Sequence, residues 1–375
     1  MKLQELYTTP GYATPKGKDE SITFEKALET ANARAQILAP EDRTIKPAKF
    51  LFAGIGHFKD HFGREHKVDY LREAGSDRSY ALTDNAFTQL AQRVGPSTAE
   101  RVNFPGYLRV CDEKLRVLNL NSWLQKNGGH EVFMRSVRPY GVPFARGFLS
   151  DRYVEVDDLD LMGVLKEIPE AQGAAVRMME FTESTMHLRL TWKNERRELK
   201  VGDAVEFGVH ISNSEIGHRA VRVEPIVYRL KCSNGMISGG EGGDGSWYIR
   251  HAGKKDRVVG AMNEAIKSAL PAAREMAIKF SKCVGEVIDR PVERLKGLAK
   301  DENLTEVQLS AAIEEMMGEA AGKDVTRFDF INGITGAGRR EADADRRYDL
   351  ERLGSRFLTG DLPMALVEHP KKNVR

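Results

Sequence analysis

Apolar positions recur at helical spacing near the start of the chain. Phe24, Leu28, Ala31, Ala35 and Leu38 step by four and three, so they share one face of a helix that Ala39-Pro40 ends. Residues 1–20 before it are polar and rich in Gly, Pro and Lys, which predicts a loose lead-in. Phe50-Leu51-Phe52 predicts a short strand or a buried turn. Thr83-Asp84 opens a second helix, with Phe87, Leu90 and Val94 facing inward and Gly95-Pro96 closing it.

The middle of the chain changes period. Val132 to Met134 and Val142 to Leu149 read as strands, and Asp157 and Asp158 as caps of a short helix. Ala174 to Phe181 and Thr185 to Trp192 predict a hairpin. Val205 to Ile211 and Val221 to Leu230 predict a second pair, joined by the turn chemistry of Asn213 to Gly217. Asn234-Gly235 predicts another tight turn, with Cys232 packed inward before it. From Val258 onward the period is helical, through Met262, Ile266, Ala269, Ala273, Met276 and Phe280, with a kink expected at Pro271. Further helices are expected near 305–320, 326–336 and 345–354. Runs of strands followed by runs of helices predict an α+β fold: a central antiparallel β-sheet with flanking helices and a helical C-terminal part. The expected divisions are a mixed helical region over 1–125, a β-rich core over 126–257 and a helical region over 258–375.

Composition adds little to this layout. The hydrophobic fraction of 41% suffices for a real core. No stretch approaches the roughly 20 apolar residues that cross a bilayer, and the start of the chain carries no apolar leader. Cys111, Cys232 and Cys283 are scattered, forming neither a disulfide framework nor a zinc pair. A cytoplasmic protein without membrane contact is therefore expected.

Net charge is only +2, yet it is unevenly spread: residues 151–185 balance at −6 and residues 186–300 at +7. Tyr140, Phe144, Phe148, Tyr153, Trp192, Tyr228, Trp247 and Tyr248 are interleaved with the basic residues. Single-stranded nucleic acid needs cations for its phosphates and rings for its bases. The expected backbone contacts are Arg135, Arg138, Arg152, Arg219, Arg222, Arg250, His251, Lys254 and Lys255, and the expected stacking residues are Tyr153 and Trp247. The competing reading of such alternation is a solvated sheet face over core aromatics.

Other chemistry is thin. His57 and His61 are four apart, which on a helix would aim both imidazoles the same way, with His66 nearby, but nothing fixes a third ligand. The glycine-rich stretch 239–245 contains Glu241 and Asp244, which would repel phosphate, and lacks the Gly-Lys-Ser/Thr ending of a P-loop. No nucleophile–base motif stands out. Neither a cofactor, a metal nor a catalytic residue is expected.

Several phrases in order resemble a phage- and plasmid-associated family, domain of unknown function 932. They are Leu82 to Leu90, Phe148 to Asp157 with its Leu-Ser-Asp-Arg-Tyr, Asn213-Ser214-Glu215-Ile216-Gly217, Cys232-Ser233-Asn234-Gly235, Arg250-His251, and Thr326, Asn332 and Thr335. The resemblance implies a protein of mobile elements, and its strand-then-helix outline is similar to Rad52-like annealing proteins. The expected function is therefore single-stranded DNA binding and strand annealing by a homo-oligomer. An enzyme on nucleic acid or nucleotides, using the His57/His61/His66 cluster or an Asp151–His251 acid–base pair, is the alternative. A structural protein of a mobile element is the third reading.

Overall fold

A computed structural model describes residues 21–96, 103–200, 202–230, 234–238 and 245–365. The fold is α+β, with antiparallel sheets, flanking helices and a helical C-terminal region. The first sheet holds β1 (Arg43–Ile45), β2 (Phe50–Lys59), β3 (Glu65–Glu73), β4 (Ser79–Leu82), β5 (Val132–Val137) and β6 (Phe144–Ser150) in the order β1-β5-β6-β4-β3-β2. Its pairs are antiparallel except β4 with β6. Four of its strands come from the region expected to be mixed helical. The helices there, α2 (Asp84–Val94), α3 (Phe104–Val110) and α4 (Glu113–Asn127), follow α1 (Phe24–Leu38) in the chain. α2, α3 and α4 bury Phe87, Leu90, Phe104, Leu108, Leu120 and Leu124 in one core with Phe50, Phe52, Leu71, Met134 and Phe148. The free edge of β2 is capped by α4: the Phe52 amide donates to Asn121 Oδ1 at 2.7 Å, and Asn121 Nδ2 donates back to the Phe52 carbonyl at 3.0 Å.

The next helices are α5 (Asp158–Lys166) and the single turn α6 (Pro169–Gln172). The second sheet follows as a meander, β7 (Ala175–Phe181), β8 (Met186–Lys200), β9 (Asp203–Asn213) and β10 (Val221–Arg229). Both β11 (Asn234–Ile237) and β12 (Trp247–Ile249) pair with the outer edge of β10, one beyond the other. Asn234-Gly235 thus lies in a strand rather than a turn. Cys232 and residues 239–244 fall outside the described residues. Strand alternation splits this sheet cleanly. Leu188, Leu190, Val209, Ile211, Val221 and Val223 face α7 (Lys255–Lys282), α1 and α5. Burying each such side chain contributes about 1.5–3 kcal/mol. α7 runs unbroken through Pro271, because Met262, Ile266, Ala269, Ala273, Met276 and Phe280 are all buried along it. That packing offsets the roughly 3 kcal/mol cost of an interior proline. Its second half joins α8 (Pro291–Asp301), α9 (Glu306–Ala320) and α10 (Arg327–Arg339) around Phe207, Phe280, Phe328 and Phe330.

The other face of the second sheet is polar and is covered by α11 (Ala344–Ser355). His187, Thr191, His210, Ser212 and Glu224 are fully buried there. Among the described residues, no helix is long and apolar enough to cross a membrane.

Candidate nucleic-acid interface

The strand β6 ends at Ser150, and the chain turns with the Tyr153 amide donating to the Ser150 carbonyl at 3.0 Å. The strand β12 ends at Ile249, and α7 does not start until Lys255. These two connections lie side by side. Tyr153 and Ala252 form an isolated antiparallel bridge, and the Val154 amide donates to the His251 carbonyl at 2.9 Å. The bridge brings Arg152 beside the run of Arg250, Lys254 and Arg257. All four are exposed, and none pairs with an acid among the described residues. Lys255 is exposed too, and its ammonium donates to Asp160 at 2.7 Å.

Under this basic corner sits a ring stack. Tyr153 lies on His251 with centroids 5.0 Å apart at 10°, and on Phe133 at 6.4 Å. The Tyr153 hydroxyl donates to the Ser214 carbonyl at 3.0 Å. His251 Nδ1 meets the Val154 carbonyl at 3.2 Å, and a carbonyl only accepts, so Nδ1 carries the proton. Burial pushes the His251 pKa down, which leaves the ring neutral near pH 7. His251 therefore acts as a strut beneath the basic residues and contributes no charge. With Nδ1 committed, an Asp151–His251 acid–base pair would have to use Nε2, which is itself buried.

The remaining residues expected on this surface are elsewhere. Arg135 is buried, held by Asp157 at 2.5 Å, Asp42 at 3.3 Å and Glu155 at 3.5 Å. Arg138 donates from Nε and Nη2 to the two oxygens of Glu41, at 2.7 and 2.8 Å. Arg222 lies on the polar sheet face under α11, and Arg219 reaches α11 from the turn between β9 and β10. Arg219 pairs with Asp345 at 3.3 Å, and Arg222 donates to the Tyr348 hydroxyl at 2.9 Å. Trp247 is partly exposed and donates its indole N–H to Ser268 of α7 at 2.7 Å. Phe144, Phe148, Trp192 and Tyr228 are core residues. The histidine cluster is on the β2–β3 hairpin, not a helix: His57 meets Glu65 at 3.3 Å, His66 meets Asp60 at 2.8 Å, and His61 stacks on Tyr140. Among the described residues, no three His, Cys, Asp or Glu side chains are grouped to hold a metal ion.

The sequence model of a family described as "Domain of unknown function (DUF932)" matches residues 145–353. The chain belongs to this family. No curated protein and no solved structure matches it. The DUF932 segment begins in β6, takes in the whole second sheet and ends in α11. Two of its phrases meet in space. Asn213 Nδ2 donates to the Val156 carbonyl at 3.1 Å and to Asp158 at 2.8 Å, and Glu215 accepts from the Asp158 amide at 3.2 Å. Asn213 and Glu215 thus tie the end of β9 and the turn after it to the start of α5. Thr326 caps α10, and Asn332 donates to the Phe328 carbonyl at 2.9 Å.

Two buried polar clusters carry no local signal in the sequence. One lies where α1 and the first sheet meet α5 and the β9–β10 turn. A cavity of about 80 Å³ there is lined by Arg34, Arg135, Arg146, Asp157, Asp158 and Glu215. Burial, and then the neighbouring Glu215 charge, push Asp158 up to about 7. Arg146, Arg34 and Arg135 overcome the burial of Glu215 and hold it well below the usual carboxylate range. The second cluster lies under α11, where His187 bridges His210 at 3.2 Å and Asp345 at 3.1 Å. Burial lowers the pKa of both histidines and keeps them neutral. In sequence, the second cluster looks like the alternating polar face of a solvated strand, and the first is scattered over a helix, two strands, a helix start and a turn.

Proposed function

We propose that the chain is a non-enzymatic binder of single-stranded DNA that holds the strand's phosphates at the corner between the β6 and β12 connections. One observation carries the reading: Arg152, from the turn after β6, and Arg250, Lys254 and Arg257, from the connection after β12 and the first turn of α7 about a hundred residues later, come together without acid partners among the described residues. An unpaired group of cations costs self-repulsion, which a polyphosphate backbone relieves. Trp247 presents a partly exposed ring a few residues away, available for base stacking. By analogy of its strand-then-helix outline with Rad52-like annealing proteins, the proposal extends to strand annealing by a phage- or plasmid-encoded homo-oligomer.

The test is fluorescence anisotropy with labelled oligothymidylate across a salt series. Binding should weaken with a log–log slope of about −0.7 per phosphate contacted. Arg250→Ala/Lys254→Ala should reduce both affinity and slope while leaving the urea midpoint unchanged, because both side chains are exposed. A flat salt response, or wild-type affinity in that variant, removes the proposal.

A further inference from the structure

A cleft of about 520 Å³ separates α11 from the turn joining α8 to α9. Arg346, Asp349, Arg352 and Arg356 line one side, three and four residues apart on a single face of α11. Glu302 and Thr305 stand on the opposite wall, and Leu304, Leu350 and Leu353 supply an apolar part of the lining. The volume lies within the range of small-ligand sites, which pair an apolar bed with a few fixed polar groups.

The three guanidiniums are not equivalent. Arg352 is anchored: Nε meets Glu224 at 3.0 Å and Nη2 donates to the Tyr248 hydroxyl at 2.7 Å. That anchoring fixes its plane at the cleft before any ligand arrives. Arg356 pairs with Glu302 at 2.6 Å, but its side chain is 52% exposed, and exposed pairs of this kind contribute little. Arg346 is exposed and pairs with no acid among the described residues. A phosphate presents up to two charges and several acceptors, so it competes well for Arg346 and Arg356.

We infer that this cleft binds the phosphate of a nucleotide unit, with the sugar and base toward the apolar part of the wall at Leu304. The site is separate from the basic corner and does not depend on it. Tyr248 links the two: it sits two residues before Arg250, with its hydroxyl on Arg352 and its ring 4.9 Å from the Arg222 guanidinium. The phosphate has two possible sources, a strand continuing from the corner or a free mononucleotide, and both carry the same recognised group.

The experiment compares wild type with Arg346→Ala/Arg356→Ala, measuring anisotropy with labelled oligothymidylate and calorimetric titration with thymidine monophosphate. The variant should bind at least one probe about tenfold more weakly, the scale of a lost charge-assisted contact. Arg346→Lys/Arg356→Lys should recover part of that loss, and the urea midpoint should not move. Loss for the oligonucleotide alone assigns the phosphate to a strand, and loss for the monophosphate assigns it to a free nucleotide. Unchanged affinity for both probes overturns the inference, as does a loss that tracks a fallen urea midpoint. Arg250→Ala/Lys254→Ala keeps the two sites distinguishable. If it binds normally while the cleft variant does not, the corner fails and the cleft stands; the reverse result removes the cleft.

Discussion

Replacing Asp158 with Asn should remove its share of the dependence of stability on pH, and replacing Glu215 with Gln should reduce that share by withdrawing the charge that helps raise Asp158. Both carboxyls are buried in the same junction. Glu215 accepts from Arg146 at 2.6 Å and lies 3.7 Å from Arg34, so it stays ionised at all working pH values. Asp158 is raised to about 7 by its burial and by the Glu215 charge, from an ordinary value of 3.8. A folded-state pKa above the unfolded one means that folding takes up a proton. The stabilisation is then complete below about pH 4 and fades as the pH rises through 7. The shift corresponds to a loss on the order of 4 kcal/mol across that window. Asp42, raised to about 6 chiefly by burial, adds a change of the same sign and is present in both variants. The difference between wild type and Asp158→Asn therefore isolates Asp158.

Glu215→Gln removes an ionised acceptor from between three arginines, a change that typically costs about 3–5 kcal/mol. Asp158 moderates that cost. Once the Glu215 charge is gone, Asp158 ionises more readily and returns a negative charge to the cluster. The double variant loses this compensation, so it should be less stable than the sum of the single effects predicts. Urea unfolding followed by tryptophan fluorescence at about pH 5, 6 and 7 measures all three quantities. A pH profile for Asp158→Asn parallel to wild type, or strict additivity in the double variant, would refute the assignment of the proton to Asp158.

Two further outcomes follow from packing. Gly208→Ala would set a Cβ 1.9 Å from the Leu190 carbonyl oxygen across the β8–β9 ladder, so it should cost about 3 kcal/mol or more and lower the urea midpoint clearly. Cys283 is 1% exposed and its thiol is pushed up to about 11, chiefly by burial. Iodoacetamide at about pH 8 should leave it unmodified in the folded protein and alkylate it in urea, as read by peptide mass mapping.

What the sequence shows of this molecule follows the range of the interactions involved. The N-cap Thr83, the cap Asp157 and the pairs β7–β8 and β9–β10 are local, so propensity and alternation suffice to find them, whereas Asp158 is the buried first residue of α5 and not its cap. The β2–β3 hairpin escapes because Gly54 and Gly56 interrupt its alternation. Gly54 sits at φ +80 in a bulge, and Gly56 admits the Tyr70 ring against the backbone. Asn234-Gly235 has turn chemistry, but the Gly235 amide is claimed by Glu351 of α11 at 3.1 Å, more than a hundred residues away, and the pair is drawn into a strand.

The basic residues divide by the same logic. Alternation of Arg222 with Val221 and Val223 correctly separates two faces, but it cannot say that α11 covers the polar one. That cover depends on Tyr348, Asp345 and Arg352 arriving from the far end of the chain. Arg135 likewise looks like any strand arginine until Asp42, Glu155 and Asp157 close around it. Arg152, Arg250 and Lys254 differ from these in what the fold brings to them, which is one another and, among the described residues, no carboxylate partner. Charge density along a sequence therefore marks where cations are, whereas pairing across the fold decides which of them remain available to a phosphate.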